Sequence, residues 1–411
     1  MRSKGIFFIS VYLLSLHFTA IKAQEDNTSL QTDIYGYIEI SPFFDSRQVV
    51  TARQGLVLLY PMNEDLDPGG SDLNGVSGLN FPVINSRMGI NFGGPAILGA
   101  DASARFEVDF LGTRGDLFGM LRLRHAFITL EWEKTSIIAG QTWHPMFVPQ
   151  CFPNTVSFAG GVPFHALNRA PQIRFTYNDG GLSLSAIALT HSDFPSLGPL
   201  GPSGSYLSNS GIPETLLQVL YTNGPVLVGG TAGYQLLRPR TFTGEGYRTD
   251  EKMAGIEANI FTTLSLSPAT VKIQANYGQN NSHLVMMGGY GETVPLNAEE
   301  GIYGYTGIHA LSAWTDIETT GSPVKAGLFA GYSRNLGSDE AITGEVWARA
   351  SDIAQMYRVS PRIIYAPGQV SFGAELVYNI TAFGEPDNRF RFTETNNVTN
   401  IRALISMKYS F

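Results

Sequence analysis

The carboxy-terminal stretch Thr399 to Phe411 (TNIRALISMKYSF) restricts the fold more than any other part of the chain. Every second residue back from Phe411 is apolar: Tyr409, Met407, Ile405, Ala403 and Ile401. The interleaved set is Ser410, Lys408, Ser406, Leu404 and Arg402. Successive strand side chains point to opposite faces, so the stretch is a ribbon with one greasy side and one largely polar, cationic side. In a soluble protein the greasy side meets a core. In a barrel set in a bilayer it meets lipid, and the polar side meets a wet lumen.

The rest of the chain repeats this ribbon. It divides into about sixteen alternating segments, at 33–41, 83–92, 97–110, 121–132, 135–143, 171–178, 181–190, 214–222, 225–237, 252–264, 269–278, 303–316, 323–333, 355–365, 369–380 and 400–411. Short gaps carry turn chemistry: GGPA at 93–96, EK at 133–134, NDGG at 178–181, NG at 223–224, SP at 267–268, TTGS at 319–322 and PG at 367–368. In such turns Gly or Asn supplies a positive φ and Pro fixes its own. A long gap of about 10 to 40 residues separates each pair of short ones. A sandwich or propeller has no reason to alternate in this way. The expected fold is an all-β, transmembrane antiparallel barrel of about sixteen strands, with short periplasmic turns and long extracellular loops.

The two faces separate elsewhere too. In 97–110, Leu98, Ala100, Ala102, Ala104, Phe106, Val108 and Phe110 oppose Asp101, Ser103, Arg105, Glu107 and Asp109. Ile173, Phe175 and Tyr177 oppose Gln172, Arg174 and Thr176, and Val271, Ile273, Ala275 and Tyr277 oppose Thr270, Lys272, Gln274 and Asn276. A charge facing lipid at the midplane costs about 2–4 kcal/mol, which accounts for this segregation. Tyr365, Tyr409 and Phe411 stand near strand ends, as an aromatic girdle requires.

Residues 1–23 read as a secretory signal: Arg2 and Lys4, an apolar run from Ile6 to Ile21, and Ala23 before the polar Gln24. Residues 24–32 form a short lead-in, and 33–411 the barrel. No later apolar stretch approaches the 18 residues that a spanning helix needs. Losing Arg2, Lys4 and Lys22 takes the formal charge from −8 to −11, which argues against a nucleic-acid partner. Cys151 is alone, so there is neither an internal disulfide nor a Cys-based zinc site.

Several stretches resemble the trimeric general porins, and more particularly their DcaP-like branch. Tyr35-Gly36-Tyr37 resembles the opening strand of that family, and Ser86-Arg87-Met88-Gly89-Ile90 followed by Gly93-Gly94 resembles its next strand and turn. Arg105 to Phe110 and Arg124 to Leu130 are similar to the following two strands, with Thr129 where the family usually has Gly. Gly140-Gln141-Thr142-Trp143 resembles the strand end that leads into the third long loop, and the terminal Phe411 resembles the end signal of bacterial outer-membrane barrels. The resemblance implies a homotrimer in the bacterial outer membrane, in contact with lipid and lipopolysaccharide. It also implies a third loop (here 144–170) that folds inward and narrows the lumen.

In general porins that loop carries carboxylates opposite wall arginines. Here it has no Asp or Glu. The inferred wall face is rich in Arg and Lys and carries fewer acids (Asp101, Glu107, Asp109, Glu257 and Glu375). The candidate pore-lining set is Arg87, Arg105, Glu107, Asp109, Arg122, Arg124, Arg174, Arg358, Arg362 and Arg402 on the wall, with His144, Asn154, His165 and Arg169 on the loop. Lys272 and Lys408 add to the cationic wall. Rings of Arg and Lys select anions. The expected function is a water-filled channel for passive diffusion of small hydrophilic solutes, leaning to anionic ones. The alternative is an outer-membrane barrel enzyme or adhesion barrel with loop-borne activity.

No catalytic constellation stands out. His144, His165, His191, His283 and His309 lie in or near loops without metal-ligand spacing and read as solvated. Asp193, Glu214 and Asp250 are ordinary loop acids, and no nucleophile elbow is present. Gly229 to Gly233 fits strand packing better than a phosphate cradle, because no helix follows. Neither a cofactor nor a metal is expected, and Cys151 reads as a small buried hydrophobe.

Overall fold

A computed structural model describes residues 30–113 and 117–411. The signal at 1–23 and most of the lead-in lie outside the described residues, and the first strand already begins at Gln31. Sixteen antiparallel strands close into a barrel. They are β1 (Gln31–Ile40), β2 (Arg87–Gly93), β3 (Asp101–Asp109), β4 (Arg122–Glu131), β5 (Thr135–Trp143), β6 (Arg169–Asp179), β7 (Leu182–Leu189) and β8 (Glu214–Asn223). There follow β9 (Val226–Leu237), β10 (Met253–Ser265), β11 (Ala269–Gln279), β12 (Ile302–Thr319), β13 (Val324–Ser338), β14 (Ile353–Tyr365), β15 (Val370–Phe383) and β16 (Asn396–Ser410). Every expected segment is a strand, and 135–143 is matched at both ends.

Closure runs through β1. It pairs with β2 from Gln31 to Tyr37 and with β16 from Tyr37 to Ile40, with Ile38 opposite Tyr409. Two 3.0 Å bonds between Gly36 and Phe411 finish the seam, so the terminal aromatic residue completes the ring. The short turns fall where the turn residues stand. Gly180 (φ 55°) and Gly181 (φ 86°) connect β6 to β7, and a Cβ on Gly181 would lie 2.3 Å from the Thr222 carbonyl. Only glycine fits there.

The two faces are as the alternation requires. On β16, Ile405 (60% exposed) and Met407 (52%) face outward, whereas Arg402 (1%) and Leu404 (6%) face inward. Exposed Tyr365, Phe372, Tyr409 and Phe411 gather at the short-turn end. The small-residue outer face expected at 98–104 is shorter than anticipated. Leu98 (φ 56°) and Ala100 belong to the turn, so of these residues Ala102 and Ala104 alone stand on the outer face of β3, followed there by the larger Phe106 and Val108.

The lumen is not empty. Within the first long loop, Val49–Ala52 and Val57–Pro61 form a hairpin that turns inward. The third loop, 144–168, also turns inward, and so does 280–287 of the sixth loop, with its short 3-10 turn Asn281–Leu284. Val57 and Leu59 of the first meet Phe147, Val162 and Leu167 of the third and Val285 of the sixth in one cluster. Each such burial contributes about 1.5–3 kcal/mol, so three loops share a small core inside the barrel.

Wall side chains fasten the third loop by its main chain. Gln218 donates to Pro145 O, Asn259 and Gln274 to Met146 O, Thr263 to Gln150 O and Lys272 to Phe152 O. Asn276 and Ser312 donate to Phe164 O, and the Cys151 thiol donates to the Thr262 and Ile273 carbonyls. In return the Asn154 and Ser157 amides donate to Asp316 and Glu375.

Candidate functional site

The side of the wall that faces the start of the third loop carries a connected charge cluster. Glu107 and Asp109 stand two residues apart on β3, so both point inward. The β3–β4 register slips after Glu107 pairs His125, and this bulge turns both Arg124 and His125 inward. Arg122 grips Asp109 through two bonds of 3.0 and 2.7 Å. Arg124 donates to Glu107 (2.6 Å) and to Asp109 (2.9 Å). Arg87 stands 3.6 Å from Glu107 with its guanidinium 5.1 Å from the Tyr37 ring.

Asp193, in the loop after β7, joins a second group. Arg169 donates to it at 2.6 Å, while Arg122 and Arg53 lie 3.5 and 3.9 Å away. The Arg169 guanidinium lies 4.0 Å from the Trp143 ring, and Phe147 stacks on the same indole with centroids 3.8 Å apart. Burial, and then the nearby Arg122 charge, pull the Arg53 guanidinium below its usual range. Five guanidiniums (Arg53, Arg87, Arg122, Arg124 and Arg169) thus meet three carboxylates.

Two cavities border this cluster. One of about 800 Å³, on the long-loop side, is lined by Arg53, Arg122, Asp193 and Arg349 among others. The other, about 370 Å³ and nearer the short-turn end, is lined by Arg87, Arg124, Trp143, Arg169 and Lys408 together with third-loop residues from Phe147 to Ala159. Arg122 lines the first and Arg124 the second, and both hold Asp109. Asp193 lines the first and takes its bond from Arg169 of the second. These contacts form the partition between the two spaces.

The other candidate arginines do different work. Arg358, 1% exposed, donates to Gly160 O, Val162 O, Leu58 O, Leu59 O and Asn379, and so staples the first and third loops to β14. Arg362 is paired with Asp316 and Glu318, and the Asn154 side chain bonds Glu318. Arg402 is paired with Asp45. Arg174 donates to Trp143 O and Gln172, and exposed Arg105 to Asn91. Lumen acids are more numerous than the sequence reading counted: Asp45, Asp193, Glu214, Asp316 and Glu318 were not on its list. Glu318 was missed because β12 runs to Thr319 rather than stopping at 316, whereas Asp316 already lay inside the expected segment.

The histidines correct the sequence reading most clearly. His144, His165, His191 and His283 are buried rather than solvated, and His144 and His165 line neither cavity. His165 donates to Ala166 O at 2.6 Å, and burial pulls its imidazole down to about 4. Burial likewise pushes the Cys151 thiol up. His144, His191 and His283 converge on Glu214 and Glu257 in a closed cluster behind the third loop.

No protein-family model and no curated protein sequence matches the chain. Solved structures do. The outer membrane channel DcaP of Acinetobacter baumannii superposes with a TM-score of 0.67 at 17% identity, over 93% of this chain and 97% of the other. The trimer form of OmpT, an outer membrane protein of Vibrio cholerae, gives 0.54 at 12% identity, covering 93% and 99%. The anion-selective porin from Comamonas acidovorans gives 0.55 at 10% identity, covering 93% and 100%. At these identities the likeness is one of architecture: the chain has the fold of the outer-membrane porins.

Proposed function

We propose that the chain forms a water-filled channel in a bacterial outer membrane, through which small hydrophilic solutes diffuse passively and anions pass preferentially. The observation that carries this reading is the guanidinium cluster on the partition between the two cavities, where five cationic groups meet three carboxylates. The third loop adds no carboxylate to that count. Arg87 and Arg53 are held only at 3.6 and 3.9 Å from their acids, so a passing anion can recruit them. The Debye length at 0.15 M salt is about 8 Å, so the cluster acts only on solutes that come this close. The far wall contributes little, because Arg358, Arg362 and Arg402 are committed to carbonyls and carboxylates.

The outer apolar band and its end girdle would face lipid, and the long loops would reach lipopolysaccharide. By analogy with the trimeric OmpT form, the chain assembles as a homotrimer after cleavage of a signal at Ala23. A single-barrel mass in mild detergent would overturn the trimer. Selectivity is tested by reversal potentials in planar bilayers under a potassium chloride gradient. Chloride preference is expected, moving toward potassium when Arg87 and Arg124 are both replaced by serine. A wild-type channel that prefers potassium would refute the anion reading.

A further inference from the structure

We propose that Glu214, Glu257 and His283 ligate a divalent first-row transition ion, with Zn²⁺ the best match, and that this ion ties the sixth and third long loops to the barrel wall. The inference is independent of the channel reading. Glu214 opens β8, Glu257 stands on β10, and His283 sits in the inward turn of the sixth loop; all three side chains are fully buried. His144, the first residue of the third loop, completes the group. One ligating atom from each of the four lies within 4.8 Å of all the others.

Tautomers assign the roles. His283 Nδ1 lies 3.2 Å from the Asn280 carbonyl, which can only accept, so that nitrogen carries the proton and Nε2 offers a lone pair. A backbone carbonyl orienting the far nitrogen is the usual support of a metal-binding imidazole. Among the described residues the lone pair finds no hydrogen-bond partner, and neither oxygen of Glu257 has one either. Nε2 stands 3.3 Å from Glu257 Oε2 and 3.6 Å from Glu214 Oε2. Bonds of about 2.0–2.1 Å in a tetrahedral site place ligand atoms roughly 3.3 Å apart, close to these separations.

Glu257 Oε2, Glu214 Oε2 and the His283 nitrogen supply three well-separated donors, and the second Glu257 oxygen adds a fourth at the short bite of a chelating carboxylate, which distorts the tetrahedron. His144 and His191 are positioning residues. His144 Nδ1 accepts the Met146 amide, so its Nε2–H donates to Glu214 at 2.8 Å. His191 donates to the other Glu214 oxygen at 2.7 Å and stacks on His283. Charge points the same way. Two carboxylates buried together are expensive in a closed interior unless a cation joins them, and one divalent ion cancels both charges. The imidazole nitrogen favours a transition ion over calcium or magnesium.

The test uses an untagged full-length chain stripped with EDTA. Zn²⁺ is added to the folded barrel and, separately, during refolding from urea, because the site is closed. Elemental analysis should find one zinc per chain, calorimetry a dissociation constant below about 1 μM, and Co²⁺ should give the visible bands of a four-coordinate site. Glu257→Gln keeps the side-chain shape and should weaken binding at least 100-fold, whereas His309→Ala, outside the cluster, should leave it unchanged. Wild-type uptake by neither route would overturn the proposal and leave a proton on His283 as the occupant. Undiminished binding by Glu257→Gln would overturn it equally, whether or not other variants fold.

Discussion

Replacing Arg358 by alanine should detach parts of two inward loops while leaving the barrel closed. The guanidinium makes five bonds, four of them to main-chain carbonyls at 2.6 to 3.0 Å and one to Asn379 at 2.7 Å. Hydrogen bonds to a charged group contribute about 1.5–3 kcal/mol each, but they share one donor and do not add. Truncation leaves four buried carbonyls unserved, and a loss of about 4 kcal/mol in docking free energy is a reasonable central value. At 1.4 kcal/mol per decade that is roughly a thousandfold in the docking equilibrium. The third loop keeps its anchors at Met146, Phe152 and Phe164, so only Gly160–Val162 and the Leu58–Leu59 edge of the first-loop hairpin loosen. In planar bilayers the variant should therefore show higher mean conductance and rapid flicker, with heat-modifiable migration unchanged. Arg358→Lys reaches fewer carbonyls with a compact ammonium and should fall between the two. Conductance and noise identical to wild type would refute the stapling role.

Asp193→Asn removes the carboxylate that Arg53, Arg122 and Arg169 surround, so the reversal potential should move further toward chloride. Gly331 leaves room for Phe164, since a Cβ there would lie 2.6 Å from that ring; Gly331→Val should cost about 1–3 kcal/mol of loop docking and speed labelling of the single thiol, Cys151. His165 titrates near 4 when docked against an ordinary 6.5, so docking is complete above about pH 6.5, weakens as pH falls toward 4 and levels off below. That window is worth about 3 kcal/mol and should appear as acid-induced channel noise, absent in His165→Phe, with Lys272 the nearby charge opposing protonation. Deleting about ten residues from the centre of the third loop should raise conductance with the barrel intact.

Strand placement was legible because lipid and water impose a period of two at every step, and a misplaced charge is costly. Inward arginines such as Arg122, Arg358 and Arg402 were identified by parity alone. Their partners were not, because parity gives the face and says nothing about what crosses the lumen to meet it. The inward turns of the first and sixth loops were not foreseen, although the runs Gly55 to Pro61 (GLVLLYP) and Leu284 to Met287 (LVMM) are more apolar than solvated loops are. The histidine cluster left no local trace: His144, His191, His283, Glu214 and Glu257 come from five separate segments, and only barrel closure brings them together.

The wall holds the third loop largely by its carbonyls at Pro145, Met146, Gln150, Phe152, Gly160, Val162 and Phe164, with side-chain contacts added at His144, Cys151, Asn154 and Phe164. Backbone is common to every amino acid, so the carbonyl part of this grip is blind to the loop's own sequence between those four side chains. Thr155 and Phe158, which line the inner cavity, are thereby free to drift without the insert coming loose. The frame can keep its shape while lineages try new linings, and solute preference can diverge faster than the barrel that carries it.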